Sequence, residues 1–251
     1  MIVLKSAAEL ETMHQANVLV HETLRLVAEA ARPGTSTGEL DALAEDHIRA
    51  AGARPAFKGY RGYPASLCTS VNDVIVHGIP SRTQKLKDGD ILSIDCGVVW
   101  QGYFGDAAVT VPVGEISPEA DRLLRVTREC LGRAVEQMNP GRRLSDVGDV
   151  IQRHAEAAEF SVVREFVGHG IGRSLHEDPQ VYNLGPAGRG PELRPGLVLA
   201  IEPMINQGKP GVVIDDDGWT ARTEDGKLSA HFEYSVAVTS DGPRVLGVDG
   251  R

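Results

Sequence analysis

The 251-residue chain is long enough to bury a sizeable core as one large unit or two small ones, and its 41% hydrophobic content is ordinary for a soluble protein. A formal charge of −9, with 26 Lys and Arg scattered rather than run together, argues against nucleic-acid binding, sequence-specific or general. Cys68, Cys96 and Cys130 are odd in number and lack Cys-x-x-Cys spacing, which indicates neither a disulfide framework nor a zinc-thiolate site. Met1 to Lys5 is too short for a signal-peptide core, and no run approaches the roughly 18 apolar residues of a membrane span. A reducing cytoplasm, away from membranes, is the expected compartment.

In chain order, Ser6 followed by Glu9 is a capping-box signature that opens a long amphipathic helix, stopped by Pro33-Gly34. A second helix is predicted from Ser36-Thr37 to Gly52. Phe57-Lys58-Gly59-Tyr60-Arg61-Gly62-Tyr63-Pro64 is too glycine-rich for a regular element, and its aromatics suit a pocket wall or a core edge equally well. Ser66 to Val71 reads as a strand, Asn72-Asp73 as a turn, and Val74 to Val76 as a strand running into His77. Leu86 to Asp106 predicts a hairpin, and a turn centred on Trp100-Gln101 would set Asp95 directly opposite Asp106. Ala107 to Val113 then completes the first half.

Ser117-Pro118 starts a helix running to about Met138, and Ser145 is expected to cap another to about Ala158. Ser161 to Val167 is strand-like. In Gly168-His169-Gly170-Ile171-Gly172 the glycines would let the backbone approach a ligand and leave His169 unobstructed, with a structural turn as the alternative. Leu197 to Glu202 is a further strand. Asn206 to Lys227 reads as a hairpin extension carrying Trp219. Ala230 to Val238 alternates as one closing strand with Glu233 and Ser235 on one face.

An internal echo runs through these elements. Leu86 to Asp95 aligns with Leu193 to Glu202 at an offset of 107 residues, and Pro33-Gly34 matches Pro140-Gly141 at the same offset. Two equivalent halves, about 1–115 and 116–251, are therefore expected within one catalytic domain spanning 1–251. A site at their junction would collect acidic residues from both. Asp95, Asp106, Glu202 and Glu233 all lie in or beside apolar strands, where lone carboxylates are rare. With His169 they make a set that suits two divalent ions of the Mn, Fe, Co or Zn type, the equipment of metal-assisted hydrolysis.

The chain resembles the type I methionine aminopeptidases, in the short bacterial form without a zinc-finger extension. The resemblance covers essentially the whole sequence. It is carried by Gly62-Tyr63-Pro64, the run Val71 to Pro80, Ser93 to Gly97, Gly105-Asp106, Gly168 to Gly172, Ile201-Glu202-Pro203 and Phe232-Glu233. It implies the "pita bread" α/β fold, two pseudo-symmetric halves with a central antiparallel sheet covered by helices. It also implies two divalent metal ions: Asp95 on one, Asp106 and Glu233 bridging, and His169 and Glu202 on the other, with Glu202 as proton shuttle. His77 and His176 would face the substrate as catalytic groups. Tyr60, Tyr63, Cys68 and Trp219, with Phe57 and Leu175 beside them, would form the methionine pocket. The implied activity is removal of the initiator methionine from nascent polypeptide N-termini when the second residue is small, by a monomer, with docking at the ribosome left open. Arg61, Leu175, His231 and Tyr234 depart from the family's frequent residues. The alternatives are an X-Pro aminopeptidase or dipeptidase, whose extra N-terminal domain has no counterpart before Ser6, and a non-catalytic binding module of the same fold.

Overall fold

The computed structural model describes residues 1–248. The first half comprises helices α1 (Ala7–Ala30) and α2 (Thr37–Ala50), then strands β1 (Arg54–Pro55), β2 (Leu67–Val71), β3 (Val74–Val76), β4 (Ile91–Trp100) and β5 (Tyr103–Pro112). A short 3₁₀ turn at Tyr60–Gly62 sits between β1 and β2. Next come α3 (Pro118–Val135), α4 (Ser145–Ala157), β6 (Ser161–Val162), β7 (Gly168–Gly170), β8 (Glu177–Val181) and β9 (Val198–Ile201). The chain continues with β10 (Met204–Asn206), β11 (Val212–Ile214), β12 (Ala221–Thr223), β13 (Ser229–His231), β14 (Glu233–Thr239) and β15 (Gly242–Val245). Among the described residues, no helix is long and apolar enough to cross a membrane.

A nine-stranded sheet, antiparallel at each pairing, runs β1-β4-β5-β14-β9-β7-β8, with β2 on β4 and β15 on β14. The helices cover it in pairs. Val20, Leu24, Val27, Leu40 and Ile48 of α1 and α2 bury their stripe against Leu92, Ile94 and Val98 of β4. Leu123, Leu131, Val147 and Ile151 of α3 and α4 do the same against Leu199, Ile201, Val236 and Val238. A smaller cluster, including Met13, Phe57, Tyr63, Tyr103 and Leu175, fills the junction where the site lies.

The 107-residue echo is written into the hydrogen bonds. Gly34 N–H donates to Leu86 O at 2.8 Å and Gly141 N–H to Leu193 O at 3.0 Å. Leu86 N–H donates to Thr35 O at 2.9 Å, and Leu193 N–H to Arg142 O at 2.8 Å. The isolated bridges Ser36–Lys85 and Arg143–Glu192 keep the same offset. Gly34 and Gly141 both take left-handed φ, +92° and +85°, which the sharp stop after each first helix requires.

Four local expectations are corrected. The β4–β5 hairpin closes at Trp100 opposite Tyr103, with Gln101 and Gly102 at φ +48° and +80° as the two-residue turn. The turn therefore sits one position later than expected and each cross-strand partner moves by two: Asp95 faces Ala108 and Asp106 faces Gly97. Ser145 is not a cap; it is the first helical residue, and its hydroxyl accepts from Arg189 N–H instead. Only Ser161–Val162 of the expected strand 161–167 pairs, against β10. The expected strand 230–238 breaks at Phe232, so that β13 joins β10 in a separate small sheet while β14 enters the main one.

Candidate metal and peptide site

The corrected register still puts the two aspartates on one face. Asp106 lies opposite Gly97, two residues from Asp95, so the pair are diagonal neighbours within reach of a common partner. On the other side of β5, Glu233 at the start of β14 also faces Ala108, which places a small methyl between Asp95 and Glu233 across three strands. Glu202 follows the last residue of β9, and His169 of β7 lies opposite Ala200 of β9. Strands β4, β5, β14 and β7, with the residue after β9, the strand between the last two, thus deliver five side chains to one spot.

Donor atoms of Asp106, His169 and Glu233 all lie within 4.8 Å of one another. His169 Nε2 is 3.6 Å from Glu202 Oε1 and 3.9 Å from Asp106 Oδ2. Asp106 is 4% exposed and Glu233 2%. Asp95 Oδ1, Asp106 Oδ1 and Glu233 Oε1 are buried without a hydrogen-bond partner. Burial pushes the Asp95 carboxyl up to about 7. Burial, with Asp95 nearby, holds Asp106, Glu202 and Glu233 well above the usual carboxylate range. A cluster of this kind is unfavourable as charged groups unless a cation sits among them, and the orphaned oxygens are the acceptors a hard or borderline divalent ion takes. The residues present therefore fit a metal centre.

His169 is prepared as a neutral ligand. Burial lowers its imidazole to about 4. Its Nδ1 is 2.9 Å from Gly170 O, an arrangement in which Nδ1–H donates and Nε2 faces the carboxylates with a free lone pair. The flanking glycines have a different purpose from the expected one. A Cβ at Gly168 would sit 2.3 Å from Ala200 O, and one at Gly170 2.1 Å from Asp178 O. They admit the neighbouring strands β9 and β8.

Beside the carboxylates the same cavity is lined by Phe57, Tyr60, Arg61, Tyr63, Cys68, His77, Leu175, His176 and Trp219, so all thirteen residues singled out in the sequence meet in one place. Tyr63 Oη lies 3.0 Å from both Leu67 O and Gly78 O, which fixes its ring, and Trp219 meets that ring edge-on at 5.1 Å. Trp219 is set by a turn in which its N–H donates to Asp217 Oδ1 at 2.8 Å. His77 takes a left-handed φ of +62°, rare outside glycine, and burial lowers its imidazole to about 4. His176 Nδ1 is 2.8 Å from Tyr60 Oη.

Three residues near the centre escaped sequence reasoning as members of the site. Phe166 packs edge-on against His77 at 5.2 Å. Arg61 lines the cavity mouth, its guanidinium 5.4 Å from the Tyr60 ring centre. His231, 2% exposed, holds Nε2 without a hydrogen-bond partner 3.8 Å from Glu202 Oε2. The alternation from Ala230 to Val238 puts His231 two residues from Glu233 and was the available signal for it; Phe166 offered none.

Residues 11–240 match the model of metallopeptidase family M24. The methionine aminopeptidase of Clostridium perfringens is 53% identical over 246 residues, 98% of each chain. Methionine aminopeptidase 1 of Bacillus subtilis is 49% identical over 246 residues, 98% of this chain and 99% of that one. The crystal structure of the methionine aminopeptidase of Thermotoga maritima superposes with a TM-score of 0.97 at 45% identity, covering 99% of this chain and 100% of that one. With its pita-bread fold and its cluster of buried carboxylates around one imidazole, the chain belongs to metallopeptidase family M24, among the methionine aminopeptidases.

Proposed function

We propose that this enzyme removes the N-terminal methionine of nascent proteins and peptides whose second residue is small, acting in the cytoplasm as a monomer. Residues 1–115 and 116–251 would work as one catalytic unit, the first supplying Asp95 and Asp106 and the second His169, Glu202 and Glu233. The observation that carries the reading is the joining of these five ligand-competent side chains to an aromatic and thiol-lined cavity. The fully aligned relatives at 49–53% identity favour it over X-Pro hydrolysis or a non-catalytic module.

The five donors suit two divalent ions of the Mn, Fe, Co or Zn type, which would supply Lewis acidity and water activation at neutral pH. The chain's own groups do the rest. Tyr60, Tyr63, Phe57, Leu175, Cys68 and Trp219 surround a flexible thioether with ring edges and apolar surface, contacts sulfur favours. Glu202, with Oε1 3.6 Å from His169 Nε2 and Oε2 3.8 Å from His231 Nε2, is suited to take a proton from the attacking water and return it to the leaving amine. His77, neutral, and His176, its ring oriented by the 2.8 Å contact of Nδ1 with Tyr60 Oη, offer hydrogen bonds to the scissile carbonyl as it gains charge.

The test is mass spectrometry of an equimolar mixture of Met-Ala-Ser, Met-Lys-Ser, Leu-Ala-Ser and Ala-Pro-Ser, incubated with metal-stripped protein before and after Mn or Co is added. Loss of methionine from Met-Ala-Ser alone, only with metal, is the expected result. Cleavage of Ala-Pro-Ser alone would transfer the enzyme to X-Pro substrates, and inertness with every metal would overturn catalysis.

A further inference from the structure

Leu175 and His176 ride on residues 171–176, a stretch without regular structure between β7 and β8, and His176 is exposed. A donor to a transition state has to be held within a fraction of an ångström, yet this stretch has few backbone tethers, all at or near its start: Ile171 N–H donates to Val198 O at 3.3 Å, Gly172 O accepts from Phe104 N–H at 2.8 Å, and Gly172 N–H donates to Ser174 O at 3.2 Å. The missing constraint comes from below. Glu177, first residue of β8, accepts from Arg173 N–H at 2.8 Å and Ser174 N–H at 3.3 Å through Oε1. Its Oε2 accepts from Lys5 Nζ at 2.6 Å.

Both charged side chains are largely out of water, Lys5 4% and Glu177 14% exposed. Lys5 is itself fixed, with Nζ donating to Val3 O at 3.0 Å and its backbone N–H to Gly196 O at 2.7 Å. The pair also fills the space beneath the loop: a Cβ on Gly172 would lie 2.5 Å from Lys5 Cε and 2.6 Å from Glu177 Oε1. Desolvation cancels much of the attraction in a buried ion pair, so stability is a weak reason for one here. Fixing a backbone is a better one, because Oε1 grips the two amides just ahead of Leu175 and His176 while Oε2 is anchored to a different part of the chain.

We infer that Glu177, anchored by Lys5, is a positioning residue for His176, setting the 173–176 backbone so that the imidazole meets Tyr60 on one side and the substrate on the other. The inference rests on the aminopeptidase reading. It concerns neither metal ligation nor the methionine pocket.

Steady-state kinetics on Met-Ala-Ser with metal-loaded wild type, E177Q, H176A and E177Q/H176A test it. Gln keeps the size and one acceptor but removes the charge opposite Lys5. The expected result is that E177Q lowers kcat roughly 10- to 100-fold with little change in KM, the cost of a small misplacement. In the H176A background the same substitution lowers kcat by less than about 2-fold, since its route to the reaction is gone. Equal losses in both backgrounds would reduce Glu177 to general support and overturn the inference.

A readout independent of turnover is nitrogen-15 NMR of the His176 ring at fixed pH in the same variants. Wild type is expected to show one tautomer with Nδ1 engaged, and E177Q averaged ring signals. Unchanged His176 signals in E177Q overturn the inference whatever the activity. Changed signals in a protein that never cleaves Met-Ala-Ser support the positioning link and sink the aminopeptidase reading alone. If E177Q does not fold, Lys5→Met breaks the same link with the buried positive charge removed, and the same ring averaging is expected.

Discussion

Removing Glu233 ought to act in opposite directions on the metal-free and the metal-loaded protein. In the metal-free state its carboxyl is buried beside Asp106, Glu202 and Asp95, with one oxygen unpartnered. Glu233→Gln should therefore raise the melting temperature there, at roughly 2–4 °C per kcal/mol recovered for a chain of this size. In the metal-loaded state it removes a ligand, so ion affinity and hydrolysis should be lost. Calorimetry with and without chelator reads both signs, and an equal Tm change in the two states would refute the assignment.

The same groups fix a pH dependence. Asp106, Glu202 and Glu233 keep their protons in the folded metal-free chain to well above the ordinary carboxylate range, and Asp95 to about 7. The unfolded chain has released them by then, so the folded state binds more protons and stability falls as pH rises. His77, His169 and His231 are shifted down by burial, to about 4, about 4 and about 3, and push the other way, but only below their ordinary value. Above about pH 7 they are neutral in both states, leaving the carboxylates in charge. The chelated protein should lose Tm across that range, and saturating metal should flatten the slope.

The types of these residues were legible because four carboxylates in or beside apolar strands are hard to dismiss together, although each alone reads as a solvated side chain at a strand end. Their pairing was not. A hairpin turn at Trp100-Gln101 and one at Gln101-Gly102 differ by a single position. The choice of the second rests on two consecutive left-handed residues, which glycine at the second position supports.

At the scale of elements, the helices were legible from their caps. Ser6 with Glu9, and Ser36 with Glu39, form reciprocal boxes, and Ser117 accepts from Ala120 N–H ahead of Pro118. Ser36→Ala should cost about 1 kcal/mol by denaturant unfolding, whereas Ser145→Ala should cost no cap energy, since Ser145 lies inside α4. The 161–167 and 230–238 segments were misread because alternation reports which faces are buried, not which partner strand is available. At Phe232 the chain passes from one sheet to another while burial continues on both sides of the break.

The glycines that end the matching loops offer a symmetric test. Gly34 and Gly141 share left-handed φ, and a Cβ added to either would have nothing within 4 Å, so alanine meets strain and no clash. Gly34→Ala and Gly141→Ala should each cost about 1–2 kcal/mol, and by similar amounts.

At the scale of the whole molecule, each half carries its own helix pair and apolar cluster, while the site spans the line between them. Leu40→Ala in α2 and Ile151→Ala in α4, both fully buried, should each cost about 2–5 kcal/mol. Their effects should add to within about 0.5 kcal/mol in the double variant, because the two positions lie in different buried clusters. Metal binding, which draws on both halves, should stabilise either variant as much as wild type. The echo behind this organisation was readable at an offset of 107 residues because Pro-Gly stops and strand patterns survive divergence. The junction cluster was not, being assembled from residues far apart in the chain.

Gly168 and Gly170 bear on how the gene can vary. Glycine to alanine adds a single methyl group, and one nucleotide change produces it. Here the added methyl would strike the main-chain carbonyls of Ala200 and Asp178, neither of which can rotate away. In a saturation library these two codons should be as intolerant as those of the metal ligands, although neither glycine lines the cavity. A ranking of positions by chemical similarity of the replacement would miss both.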